Sequence, residues 1–217
     1  MANIDVQLGS GIILFFATPV FMREAPDAET VNKGLRQAIL KEEAEDKGIP
    51  GSSVSGWQSV PKVLEWPIPE IATMRELIED AVVQMACLPY KETMPVEYRA
   101  YAWANVNRNG NYNRVHNHGD IHWACVYYVD CGEPETGHPM NGQIELRDPR
   151  PGATAGSEYR YPGYTFGHGL LIDPKPGMLL VFPGWVEHFV HPFFGKGERI
   201  SIAVNVVIER VGETVPY

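Results

Sequence analysis

"NYNRVHNHGDIHWACVYYVD" runs from Asn111 to Asp130 and changes character half-way. The first half crowds His116, His118, Asp120 and His122 together; the second is an apolar, aromatic run. Imidazoles and a carboxylate are costly to bury without a partner. In a strand, residues two apart point to the same face. If 116–120 is extended, His116, His118 and Asp120 aim one way, and two of them would grip one metal ion from adjacent positions. "HWACVYYVD" then reads as the strand that carries this group into a β body.

Downstream, the texture stays that of strands. "GQIELRD", "GLLIDP", "GMLLVFP", "EHFVHPF" and "RISIAVNVVIE" are short apolar or alternating runs punctuated by Gly, Pro and Asn, and "EYRAYAWANVN" precedes the histidines. Seven or eight strands at this spacing argue for an antiparallel sandwich or barrel over about 97–210. Upstream, residues 11–21 read as a first strand. Val31, Leu35 and Ile39 recur every four residues and predict a helix that stops near Gly48. "IPGSSVSGWQSVP" reads as a loop. A second helix starts near Pro69, shows Ile71, Met74, Leu77, Ile78, Ala81 and Met85 on one face, and ends at Pro89. The expected organisation of residues 1–217 is a single domain. A helical annex at about 22–90 covers one sheet of a jelly-roll body.

A metal needs a ligand from another strand. His188 and His191 are three apart and so face opposite sides of a strand; one of them is expected to serve. Eleven residues after His188, Arg199 opens a strongly apolar run. A buried guanidinium needs an anion. It is either the partner of a structural Asp or Glu, or a fork for a ligand's carboxylate. Ser201 shares its face and offers a hydroxyl; Asn205 lies on that face too. Two ligands close in sequence, a third some 70 residues later and a carboxylate-binding Arg form a pattern. It fits the open facial site of non-haem Fe(II) oxygenases.

Bulk composition narrows the alternatives. A chain of 217 residues, 44% hydrophobic, can bury a full core. A net charge of -9 repels nucleic-acid phosphate. "GIILFFATPVF" is too short for a membrane span, and the first residues lack the basic stretch of an export signal. Cys87, Cys125 and Cys131 form no CxxC pair and read as small buried thiols of a cytoplasmic protein.

With these stretches in view, the sequence resembles the 2-oxoglutarate/Fe(II)-dependent oxygenase superfamily. More narrowly, it is similar to a set of mostly uncharacterised bacterial and phage proteins of that class. "FFATPVF", "SSVSGWQS", "YAWANVNRNGNYNRVHNHGD", "ACVYYVD", "PKPGMLLVFPGWVEHFVHP" and "ERISIAVNVV" carry the likeness, in the expected order. The resemblance implies a double-stranded β-helix, Fe(II), 2-oxoglutarate, and hydroxylation of an unidentified small-molecule or peptide substrate with release of succinate and CO2. It leaves two ligand frames open. His118-Gly119-Asp120 matches the superfamily's His-x-Asp/Glu; His116-Asn117-His118 matches the spacing to the Gly110/Tyr112 turn and to "CVYYV". His118 and His188 are common to both. Arg199 matches the basic residue after the distal His, and Ser201 an Arg-x-Ser pattern. Tyr128 sits where some relatives place a tyrosine hydroxyl on the cosubstrate, although it also reads as a core tyrosine. Trp103, Trp123 and Trp185 are packing or pocket wall; His138 and His168 are expected in solvated loops. The competing expectations are a non-catalytic jelly-roll binding module and a cupin-type protein, either with a structural metal. Oligomeric state is not legible.

Overall fold

A computed structural model describes residues 17–150 and 169–213. In chain order the elements are β1 (Phe21–Glu24), α1 (Ala28–Glu45), β2 (Ser53–Val54), β3 (Trp57–Gln58), α2 (Glu70–Cys87), β4 (Val96–Asn107) and β5 (Tyr112–His116). There follow β6 (Trp123–Pro134), β7 (Ile144–Leu146), β8 (Leu170–Ile172), β9 (Met178–Pro183), β10 (His188–Val190) and β11 (Gly195–Val211). They build two antiparallel sheets: a large one in the order β1-β9-β6-β11-β4-β3, and a small one in the order β2-β5-β10-β7-β8.

Period-two alternation sorts the large sheet's side chains between two cores. From β11, Ile200, Ile202, Val204, Val206 and Ile208 join Cys125, Tyr127 and Val129 of β6 and Ala102, Ala104 and Val106 of β4 against the helices. The opposite face, with Tyr128, Leu180 and Phe182, packs on Ile144, Leu146, Ile172 and Val190 of the small sheet. The Tyr127–Tyr128 pair is split by this rule. Tyr127 turns to the helices and donates its hydroxyl to Asn32 Oδ1 at 2.7 Å; Tyr128 turns into the sandwich.

The helices follow their apolar spacing. Val31, Leu35 and Ile39 are buried on α1; Ile71, Met74, Ile78, Ala81, Val82 and Met85 are buried on α2, with Leu77 at the margin. Pro69 caps α2, where its missing N–H costs nothing. Arg36 of α1 reaches two carboxylates of the large sheet, Asp130 at 2.8 Å and Glu198 at 2.6 Å.

Several expectations need correction. The first strand starts at Phe21 among the described residues; residues 11–16 lie outside them. The loop expected at 49–62 contains β2 and β3, so the expected helical annex also supplies β1, β2 and β3 to the sheets. The expected extended run 116–120 ends at His116, and residues 119–120 form a bend with Gly119 at φ 61°. Strand β5 also carries a bulge: His188 pairs with His116 and Val190 with Asn113, three residues of β5 against two of β10.

Candidate metal and cosubstrate site

The site lies between the two sheets, in a cleft with about 410 Å3 of space free of protein atoms, part of it open to solvent. Two β-features place its histidines. The bulge lets Asn113 and His116, an odd three residues apart, both face the cleft. The bend after β5 is pinned by the His118 amide, which donates to Gly184 O at 2.9 Å. His188 opens β10 directly opposite His116.

The three imidazoles converge. Ring centroids are 4.2 Å apart for His116–His188, 5.4 Å for His116–His118 and 5.1 Å for His118–His188, and one ligand atom from each lies within 4.8 Å of the others. Each Nδ1 faces an oxygen: Arg114 O at 2.6 Å for His116, Asn205 Oδ1 at 2.5 Å for His118, Val186 O at 3.1 Å for His188. These oxygens only accept, so each Nδ1 carries the hydrogen and each Nε2 keeps its lone pair. The Nε2 atoms of His118 and His188 are 3.4 Å apart. Two lone pairs so placed repel, and a cation between them removes the repulsion. Burial also keeps the rings neutral. It lowers the pKa of His116, takes His118 down to about 4, and takes His188, which its two neighbours also oppose, down to about 3. Neutral imidazoles are the form that ligates.

Deeper in the cleft, β11 presents Arg199, Ser201, Ala203 and Asn205 on one face. Arg199 is 2% exposed. Its Nε donates to Gly142 O at 3.0 Å. Among the described residues, its buried Nη2 has no partner and no carboxylate lies within ion-pair distance of the guanidinium. The structural Asp or Glu partner allowed by the sequence is therefore not found among them. Tyr128 lies across from Ser201 in the ladder, its ring 5.2 Å from the guanidinium carbon. Among the described residues its buried hydroxyl has no acceptor, which departs from a core tyrosine with a satisfied hydroxyl. Burial pushes its pKa up to about 12, so the phenol stays a donor. Asn105 flanks Ser201 on the other side. Among the described residues, none that lines the cleft is acidic. A buried cation and buried donors without an acceptor fit an anion; the imidazole set fits a metal ion.

The remaining candidates separate cleanly. Asp120 is exposed beyond the bend and outside the histidine group. His122 accepts the Ile208 amide at 3.0 Å, and His191 pairs with Glu145 at 3.0 Å. Trp103 lines the cleft and stacks on His118 at 5.7 Å; Trp123 packs toward the helices; Trp185 is exposed. His138 is exposed, and His168 lies outside the described residues. Sequence reasoning did not single out Asn105, Asn113 or Ser52 as lining residues. Asn105 carries a signal, because it alternates with the apolar positions of β4.

Residues 101–205 match the model of a family described as "Putative 2OG-Fe(II) oxygenase". The chain is similar to this family through its β body, over just under half of its residues. It is thus an oxidoreductase of the oxygenase class, with Fe(II) and 2-oxoglutarate as cofactors. No curated protein matches the sequence. Among solved structures, this oxygenase is similar to a Pseudomonas putida prolyl-4-hydroxylase, with 15% identity, TM-score 0.57, and 87% of this chain and 91% of that one covered. It is also similar to a Trichoplax adhaerens prolyl hydroxylase solved with a hypoxia inducible factor peptide fragment, with 11% identity, TM-score 0.55, and 87% and 83% covered. HygX of Streptomyces hygroscopicus, solved with nickel, 2-oxoglutarate and hygromycin B, gives 11% identity, TM-score 0.54, and 88% and 83% covered. At these identities the likeness shows the fold, the jelly roll expected from the strand pattern.

Proposed function

We propose that His116, His118 and His188 hold Fe(II), that Arg199, Tyr128 and Ser201 bind the distal carboxylate of 2-oxoglutarate, and that the protein hydroxylates a small molecule or a peptide. The observation that carries this reading is the convergence of three imidazoles, one ligand nitrogen of each within 4.8 Å of the others and each Nδ1 facing an oxygen. The group holds three residues among the described ones, which leaves an ion room for further ligands. When bound, iron and 2-oxoglutarate supply the oxidising chemistry, in which the cosubstrate becomes succinate and CO2 and one oxygen atom of O2 goes to the substrate.

The chain's own residues supply position and charge. Arg199 offers Nη2 to a carboxylate oxygen; the Tyr128 and Ser201 hydroxyls donate beside it. The walls of the cleft, with Trp103, Val126, Ile144, Val190 and Ala203, keep this pairing out of bulk water and so strengthen it. The relatives bound to a peptide and to hygromycin B support either substrate class. The acidic chain disfavours nucleic acid, and free Cys87, Cys125 and Cys131 support a reducing, cytoplasmic setting. No helix among the described residues is long and apolar enough to cross a membrane.

The test is anaerobic. Fe(II) and 2-oxoglutarate added together to the purified protein should give a visible charge-transfer band, and His188→Ala should lose both the band and bound iron. A His188→Ala protein that keeps its full iron content by elemental analysis would remove the ligand assignment.

A further inference from the structure

The three oxygens that receive the Nδ1 hydrogens differ in kind. Those facing His116 and His188 are main-chain carbonyls, of Arg114 and Val186, which a substitution does not remove. His118 alone depends on a side chain, Asn205 Oδ1. His118 is also the one imidazole of the three that lies outside any strand, on the turn after β5. Asn205 is its opposite: 6% exposed, in the middle of β11, paired with Tyr101 of β4 on one side and Ala124 of β6 on the other. Its Nδ2 donates to the Tyr101 hydroxyl at 2.8 Å, so the amide is held at both ends. Trp103, stacked on His118, limits ring tilt but sets no hydrogen position.

We infer that Asn205 is a positioning residue: it fixes the orientation and tautomer of His118 for the metal, with Tyr101 as the brace of its amide. The inference rests on the reading of the three imidazoles as a metal site. With the Oδ1 acceptor in place, the hydrogen sits on Nδ1 and Nε2 is free to ligate. Without it, the imidazole is free to adopt the Nε2–H tautomer, which cannot bind a metal through that atom, and to rotate away from His188. An aspartate at the same position would accept the same N–H and make the imidazole a stronger donor.

Cobalt(II) titration of the full chain, followed by its visible ligand-field absorption, tests this without turnover. Asn205→Ala should raise the Co(II) dissociation constant about 10- to 100-fold. Asn205→Asp should bring it back to the wild-type value or below, although a buried carboxylate lowers the thermal midpoint of the metal-free protein. Tyr101→Phe, which keeps the acceptor and loses only the brace, should cost roughly 2- to 10-fold. A purely structural asparagine predicts the reverse order, with Asn205→Asp the worst. Unchanged Co(II) affinity in Asn205→Ala overturns the inference, as does an Asn205→Asp protein as weak as Asn205→Ala. Imidazole 15N spectra of the metal-free wild type need no variant: His118 must show the Nδ1–H tautomer, and an Nε2–H signal overturns the inference. Wild-type protein that takes up no Co(II) would instead overturn the metal-site reading itself, and this inference with it.

Discussion

Arg199 separates a functional residue from a structural one by the sign of its effect on stability. A buried guanidinium whose Nη2 has no partner among the described residues burdens the fold, and an apolar side chain of similar length would relieve it of that desolvation. The same group is the strongest donor on offer to a dicarboxylate. Arg199→Met should therefore leave the thermal midpoint of the metal-free protein unchanged or raise it. The affinity for 2-oxoglutarate should fall about 10- to 150-fold, the equivalent of a charge-assisted bond of roughly 1.5–3 kcal/mol. Calorimetric titration with Fe(II) present, beside a melting curve, reads both. A variant that loses stability and keeps its cosubstrate affinity would return Arg199 to the scaffold. The need of this residue for an anion was legible in the sequence, because an apolar run is destined for the core and carries its lone Arg in with it. Its neighbour Tyr128 was not separable from Tyr127 by composition; only the pairing register shows which of the two faces the cleft.

At the scale of elements, β11 does two jobs on two faces, and adjacent residues should give opposite readouts. Ile202 is fully buried against the helix layer; Ser201 lines the cleft. Ile202→Ala should cost about 2–5 kcal/mol of stability as a buried truncation, with 2-oxoglutarate affinity unchanged in the folded fraction. Ser201→Ala should cost little stability and weaken 2-oxoglutarate about 2- to 10-fold, the net worth of one hydrogen bond. Denaturant titration and cosubstrate binding on both variants test the alternation; similar profiles for the two would contradict it. Long regular elements such as α1, α2, β4, β6 and β11 follow from their periodicity, and each is legible in the sequence. What escapes it is short or irregular. β2 and β3 have two residues each, too few to show a period. β5 is polar and bulged, so "NYNRVH" does not alternate. The two ligand frames were inseparable for the same reason: choosing between His116 and Asp120 requires knowing that the strand stops at His116 and that Gly119 turns the chain away.

For the whole molecule, the buried imidazoles tie folding to pH. His118 and His188 titrate near 4 and near 3 in the fold, against an ordinary value of about 6.5 in the unfolded chain. Their folded pKa values are depressed, so between these limits the unfolded chain binds the protons and the folded one does not. Stability must then fall as pH falls, beginning near pH 6.5 and continuing toward pH 4; above pH 7 these groups contribute no slope. Each contributes up to about 1.4 kcal/mol per pH unit in that window. Carboxylates elsewhere add their own slope at lower pH, so the informative quantity is a difference between proteins. In chelator-stripped protein, the urea-unfolding free energy of His188→Gln should fall less steeply from pH 6 to pH 5 than that of the wild type, by about one proton's worth. Equal slopes would mean that the His188 imidazole is not held neutral. Saturating Fe(II) under anaerobic conditions should stabilise the wild type by mass action at pH 7.5, because the ion binds only the folded arrangement. That increment should shrink only as the pH nears 4, where protons begin to occupy the same lone pairs in the fold.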